Sequence, residues 1–158
     1  MGTLHNILYL MVHHSVSQFG DVATLRGWHL ARGFTDIGYH AVILNGHRGA
    51  RSKYNEQLDG QISMGRSEKL TGAHCAKAGM NSKSLGVCLV GNSTERDFTP
   101  RQYTALVHYL AKKCDQYKIP VSHIVQHSDF EPGKPFCAGV DLDVLRARVA
   151  KKILADYK

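Results

Sequence analysis

The sequence lacks any stretch of about 20 apolar residues, the length a membrane-spanning helix requires. It also lacks a basic leader followed by a small-residue cleavage site, so its start does not read as a secretory signal. No membrane span is expected, and the chain reads as one made and folded in a cytoplasm. Cysteine is sparse: Cys75, Cys88, Cys114 and Cys137 form no CxxC pair and no dense framework. In a reducing compartment they are expected to be free thiols, any one of which can still bind metal. No linker, repeat or low-complexity segment interrupts the 158 residues, which predicts a single domain over 1–158. Acidic side chains are in deficit, 13 against 20 Lys and Arg, for a formal charge of +7. An anionic polymer is a plausible partner. The basic residues are dispersed rather than gathered in an arginine-rich stripe with interleaved aromatics, so nucleic acid is not expected. An anionic cell-wall polymer or plain solubility accounts for the charge.

What is present is an ordinary globular composition, 43% hydrophobic and 21% charged. A chain of this length buries roughly two thirds of its unfolded surface. ILYLMV, residues 7–12, is a continuous apolar run of the kind a strand covered on both faces carries, and His13 stands at its end. ATLRGWHLARG predicts a short amphipathic helix with Leu25, Trp28 and Leu30 on its apolar face and Gly33 as its stop. GYHAVILN reads as a second strand, with NGHRG turning it into a hairpin with RSKYN. Residues 57–83 are weakly periodic and read as a long loop with one helical turn, and SLGVCLVG as a third buried strand.

Thr99, Pro100 and Gln102 form a capping box with proline at the first helical position, and Pro120 ends the helix that follows. VSHIVQ is a fourth strand with His127 at its end, and Asp141 caps a last helix. Strands and helices mixed without a regular βαβ repeat predict an α/β fold, a mixed central sheet flanked by helices.

His13 and His127 thus end two buried strands, and Cys137 lies in the loop after the second. A catalytic zinc commonly takes three such ligands and keeps a fourth position open. If the strands are parallel neighbours, the three side chains converge at one sheet edge. Ten histidines allow other triads as well.

VHHS at 12–15, GYH at 38–40, GAH at 72–74, SLGVCLVGN at 84–92 and HSDFEPGKPFC at 127–137 follow one another in order. Together they resemble the zinc-dependent N-acetylmuramoyl-L-alanine amidases, the family that includes the peptidoglycan recognition proteins, and most of all its short phage endolysins of the T-odd lysozyme type. The resemblance covers nearly the whole chain. It implies a peptidoglycan-recognition-protein-like fold and one zinc ion per chain on His13, His127 and Cys137. It also implies a catalytic tyrosine and lysine at Tyr39 and Lys134, with His14 not a ligand.

In the relatives the lysine stands two residues before the third ligand; here Pro135 holds that place and Lys134 is three before Cys137. Other bacterial members carry a glutamate where this chain has Cys88, which is the phage pattern. His74 is expected either to contact the glycan or peptide or to be a structural loop histidine.

Each remaining residue has a plainer reading. Tyr39 can pack its ring at a strand start, and Lys134 can be a solvated loop lysine. Cys75, beside His74, lacks a nucleophile motif. Cys88 and Cys114 read as core. The implied activity is hydrolysis of the amide between N-acetylmuramic acid and L-alanine in bacterial peptidoglycan, by a monomeric endolysin acting on the wall after another protein permeabilises the membrane. A recycling amidase acting on soluble muropeptides, and a non-catalytic peptidoglycan-binding module, are the alternatives. Binding modules of this family generally lack the third ligand, which Cys137 supplies here.

Overall fold

The computed structural model describes residues 2–133 and 136–158. Five strands form one mixed sheet in the order β3-β2-β4-β1-β5. They are β1 (Tyr9–His14), β2 (Ala41–Ile43), β3 (Ile62–Met64), β4 (Ser84–Leu89) and β5 (Ile124–Gln126). β2, β4, β1 and β5 run parallel, and β3 is antiparallel to β2 at the edge. Among the described residues three α-helices flank the sheet: α1 (Val22–Ala31), α2 (Pro100–Tyr117) and α3 (Leu142–Tyr157).

The central strand β1 pairs with β4 in the register Met11 with Gly86 and His13 with Cys88, and with β5 in the register Val12 with Gln126. Because successive side chains point to opposite faces, Leu10 and Val12 share one face with Leu85, Val87 and Leu89. That face receives α2 and α3 and forms the main core, through Leu106, Leu110, Cys114, Leu145 and Val149. The opposite face carries two smaller apolar groups. Leu25 of α1 packs with Ile37, Val42, Leu44 and Val90, and Met11 packs with Cys75, Met80 and Val125.

The capping box at the start of α2 forms as the sequence predicts: Thr99 Oγ1 accepts from Gln102 N, and Gln102 Oε1 accepts from Thr99 N. The amide end of the same Gln102 side chain donates to Ile43 O at 3.1 Å and to Val90 O at 2.8 Å, tying the helix to the ends of β2 and the β4 segment. The helix ends on Lys118 in the left-handed conformation, before Pro120. Asp141 caps α3 by accepting from Val144 N.

Three local expectations are corrected. The antiparallel partner of β2 is Ile62–Met64, inside the stretch read as a loop, and RSKYN forms no strand. Its short run and partial exposure gave too weak an alternation to recognise. The apolar run at 7–12 enters the sheet only at Tyr9. On α1, Leu25 is buried, but Trp28 is 39% and Leu30 48% exposed, because the helix meets the sheet along a narrow line.

Candidate active site

The parallel strands β1 and β5 end side by side, so His13 and His127 arrive at the same sheet edge, with ring centroids 4.7 Å apart. Cys137 joins them from the loop beyond β5. That loop is fastened from both sides. Ser128 N donates to Cys137 O at 2.6 Å, and the Gln126 side chain accepts from Gly139 N and Val140 N while donating to Val140 O. All three residues are buried, and their ligand atoms lie within 4.8 Å of one another.

Three observations test whether these residues fit a metal. His13 Nδ1 stands 3.9 Å from Cys137 Sγ. Nitrogen and sulfur on a tetrahedral zinc, with bonds of about 2.0–2.1 and 2.3 Å, stand roughly 3.5 Å apart. His127 Nε2 is buried and makes no hydrogen bond, although Glu131 Oε1 lies 3.1 Å away. Burial, reinforced by His74 and His127, holds the His13 imidazole well below its ordinary pKa, in the neutral form a metal requires. The donor set fits a divalent cation.

The site floors a groove of about 670 Å³, whose walls include Trp28, His29, Arg32, Phe34 and Glu131. Tyr39 reaches it from the segment before β2, its ring 5.1 Å from that of His13. Burial, together with the neighbouring Cys88 and Cys137 sulfurs, holds the Tyr39 hydroxyl well above its usual pKa. It is therefore a protonated donor at neutral pH. Cys88, in register with His13, stands on the same face of the sheet.

Residues 3–139 match the family described as N-acetylmuramoyl-L-alanine amidase. The chain belongs to the N-acetylmuramoyl-L-alanine amidase family. It is 34% identical over 126 residues to an endolysin of Enterobacteria phage K11, covering 77% of this chain and 71% of the relative. It is 32% identical over 141 residues to an endolysin of Enterobacteria phage T3, covering 84% and 81%. Among solved structures, the N-acetylmuramoyl-L-alanine amidase LysC from Clostridium intestinale superposes with a TM-score of 0.76 at 25% identity, over 92% of this chain and 86% of that one.

Of the residues the sequence singles out in this amidase-family chain, His13, His127, Cys137 and Tyr39 meet at the groove floor. Lys134 lies outside the described residues. His14 borders the groove, but its Nδ1 faces the N–H and hydroxyl of Ser93, and Ser93 Oγ also lies 3.1 Å from Phe136 O, so His14 braces the Cys137 loop. His74 borders the groove, but both of its ring nitrogens face protein groups, Nδ1 toward His13 and Nε2 toward Ser84, which leaves neither for a glycan or peptide group.

Cys75, His127 and Glu131 also bring ligand atoms within 4.8 Å of one another, sharing His127 with the first set. Burial pushes the Cys75 thiol up to about 11, and the neighbouring Glu131 adds to the effect. Sequence reasoning passed over Glu131, although it lies within the HSDFEPGKPFC motif, and over His29 and Trp28. His29 Nδ1 accepts from Gly38 N at 2.8 Å beside Tyr39, a contact between segments that no local pattern announces.

Proposed function

We propose that this protein is a phage endolysin that hydrolyses the amide bond between the lactyl carbonyl of N-acetylmuramic acid and L-alanine in bacterial peptidoglycan, with one zinc ion per chain held by His13, His127 and Cys137. The observation that carries this reading is the convergence of those three buried side chains on the floor of an open groove, in a chain of the amidase family. When bound, zinc supplies a Lewis acid for the carbonyl and acidifies water at neutral pH.

The chain's own residues supply the rest. The groove admits an extended strand of glycan and peptide, with Trp28 and Phe34 as apolar walls and Arg32 as a cationic one. The Tyr39 hydroxyl donates a hydrogen bond to the oxyanion that develops as the carbonyl is attacked, a donor held protonated by its burial. Lys134 adds positive charge at the same oxygen, the role its place in the motif implies. The products are a free lactyl carboxylate and the α-amino group of L-alanine. The enzyme works as a monomer, made in the host cytoplasm and reaching the wall once another protein has permeabilised the membrane.

Mass spectrometry of digested peptidoglycan tests the reaction. New α-amino groups on alanine are expected with no new reducing sugar ends, and reducing ends in their place would identify a glycosidase. Activity confined to soluble muropeptides, with intact sacculi untouched, would favour a recycling amidase instead.

A further inference from the structure

The hydrogen bonds behind the metal site run in one direction, and that direction is fixed at its far end. Ser84 Oγ lies 2.6 Å from Met80 O, and a carbonyl oxygen can only accept, so the one hydroxyl hydrogen of Ser84 is committed there. Ser84 Oγ is also 3.3 Å from His74 Nε2. With its hydrogen committed, the serine can only accept, and His74 must carry its proton on Nε2. In a neutral imidazole a proton on Nε2 leaves Nδ1 bare. That bare nitrogen lies 2.8 Å from His13 Nε2, which must therefore be the donor. A neutral His13 with its proton on Nε2 leaves Nδ1 bare, and Nδ1 is the atom that faces Cys137.

The fold is built around this ring. A Cβ at Gly86 would stand 2.7 Å from His74 Cδ2 and one at Gly72 only 2.6 Å from it, so both glycines are needed for the imidazole to fit between strand and loop. Asn81 Oδ1 accepts from both His74 N and Cys75 N at 2.8 Å, which holds the backbone of the loop. The neighbouring His40 has both nitrogens occupied, donating to Leu70 O and accepting from Gly86 N, and so offers His74 no competing partner.

We propose that His74 is a positioning residue for the metal: seated in a glycine-lined slot and oriented by Ser84, it accepts the Nε2 hydrogen of His13 and thereby presents the bare Nδ1 of His13 to the cation. The proposal rests on the reading of His13, His127 and Cys137 as a zinc site. Outer partners of this kind fix tautomer and ring orientation, and their loss typically weakens metal binding on the order of 10- to 100-fold.

The first test uses the unaltered, zinc-free protein. Long-range ¹H–¹⁵N spectra of the imidazoles should show His13 and His74 both protonated on Nε2, and a proton on Nδ1 of either overturns the proposal. The second test is zinc affinity, measured by competition with a chromophoric chelator. His74→Leu should bind zinc roughly 10- to 100-fold more weakly. His74→Asn, whose side-chain oxygen falls near the position of Nδ1, should recover most of that loss. Ser84→Ala leaves every ring in place but releases the direction of the chain, so a mixture of His13 tautomers should appear in the same spectra. A folded His74→Leu that binds zinc as tightly as the parent refutes the role of His74 while leaving the metal site standing. A parent that takes up no zinc defeats the metal reading, and the proposal with it.

Discussion

The two faces of the sheet are built from the same strands and differ in what they tolerate. Against α2 and α3, β1 presents Leu10 and Val12, and the surrounding side chains form one continuous apolar cluster. On the other face β1 presents Met11 and His13, and the apolar contacts split into two small groups. Between those groups stand His13, His40, His74 and His127, all buried. Residues one position apart on a strand are thus assigned to different tasks. The first face supplies hydrophobic stabilisation, about 1.5–3 kcal/mol for each large side chain fully buried. The second forgoes some of that to hold neutral imidazoles in fixed orientations, and buried polar groups of this kind must be hydrogen-bonded or must bind a cation.

If the division is real, a change on one face should leave the property of the other intact. The largest effect is expected from Cys137→Ala, which removes a ligand: zinc content measured by elemental analysis should fall from one per chain toward none, with amidase activity at background. Full metal content in this variant would break the assignment. On the opposite face, Leu106→Ala, at a fully buried site, should cost about 2–5 kcal/mol in urea denaturation yet leave zinc stoichiometry at one. Tyr39→Phe keeps the ring against His13 and removes only the donor. It should lower kcat on the order of a hundredfold, about 3 kcal/mol, with zinc content and substrate affinity unchanged. A loss confined to KM would place the hydroxyl in binding rather than in the transition state.

The prediction that sharpens the contrast most concerns pH. Burial lowers the pKa of His13, His40 and His74, the last to about 3. As pH falls below the unfolded value near 6.5, the unfolded chain takes up protons that the folded chain refuses. Stability of the zinc-free protein should therefore be full above pH 6.5 and decline from there toward pH 3, at up to about 1.4 kcal/mol per pH unit for each such histidine. Urea midpoints at pH 7, 6, 5 and 4 measure this. Leu106→Ala should displace the whole curve downward without changing its slope, whereas a flat parent curve would mean the histidines are not buried in neutral form.

The sequence made the first face easy to read, because apolar runs, a capping box and terminal prolines are local signals. It also yielded the three metal-ligand candidates and Tyr39, since strand ends and motif order mark them. What escaped it depends on contacts across the chain. β3 is three residues long, and only its pairing with β2 defines it as a strand. Trp28 has a core residue's composition, yet it faces the groove because α1 touches the sheet elsewhere. His74 could be read as a substrate contact or a structural histidine while its partners were unknown. Those partners, Ser84 and His13, lie 10 and 61 residues away.

Gln102 shows how closely separate parts of the chain are coupled. One end of its side chain closes the cap of α2, and the other bonds two carbonyls that belong to β2 and to the segment after β4, 59 and 12 residues distant. Initiation of the helix and spacing of the strands are thereby written into a single amide group. The N-terminal turn of α2 cannot fray without also releasing Ile43 and Val90, so amide hydrogens on the helix and at the sheet end should exchange with solvent as members of one cooperative unit.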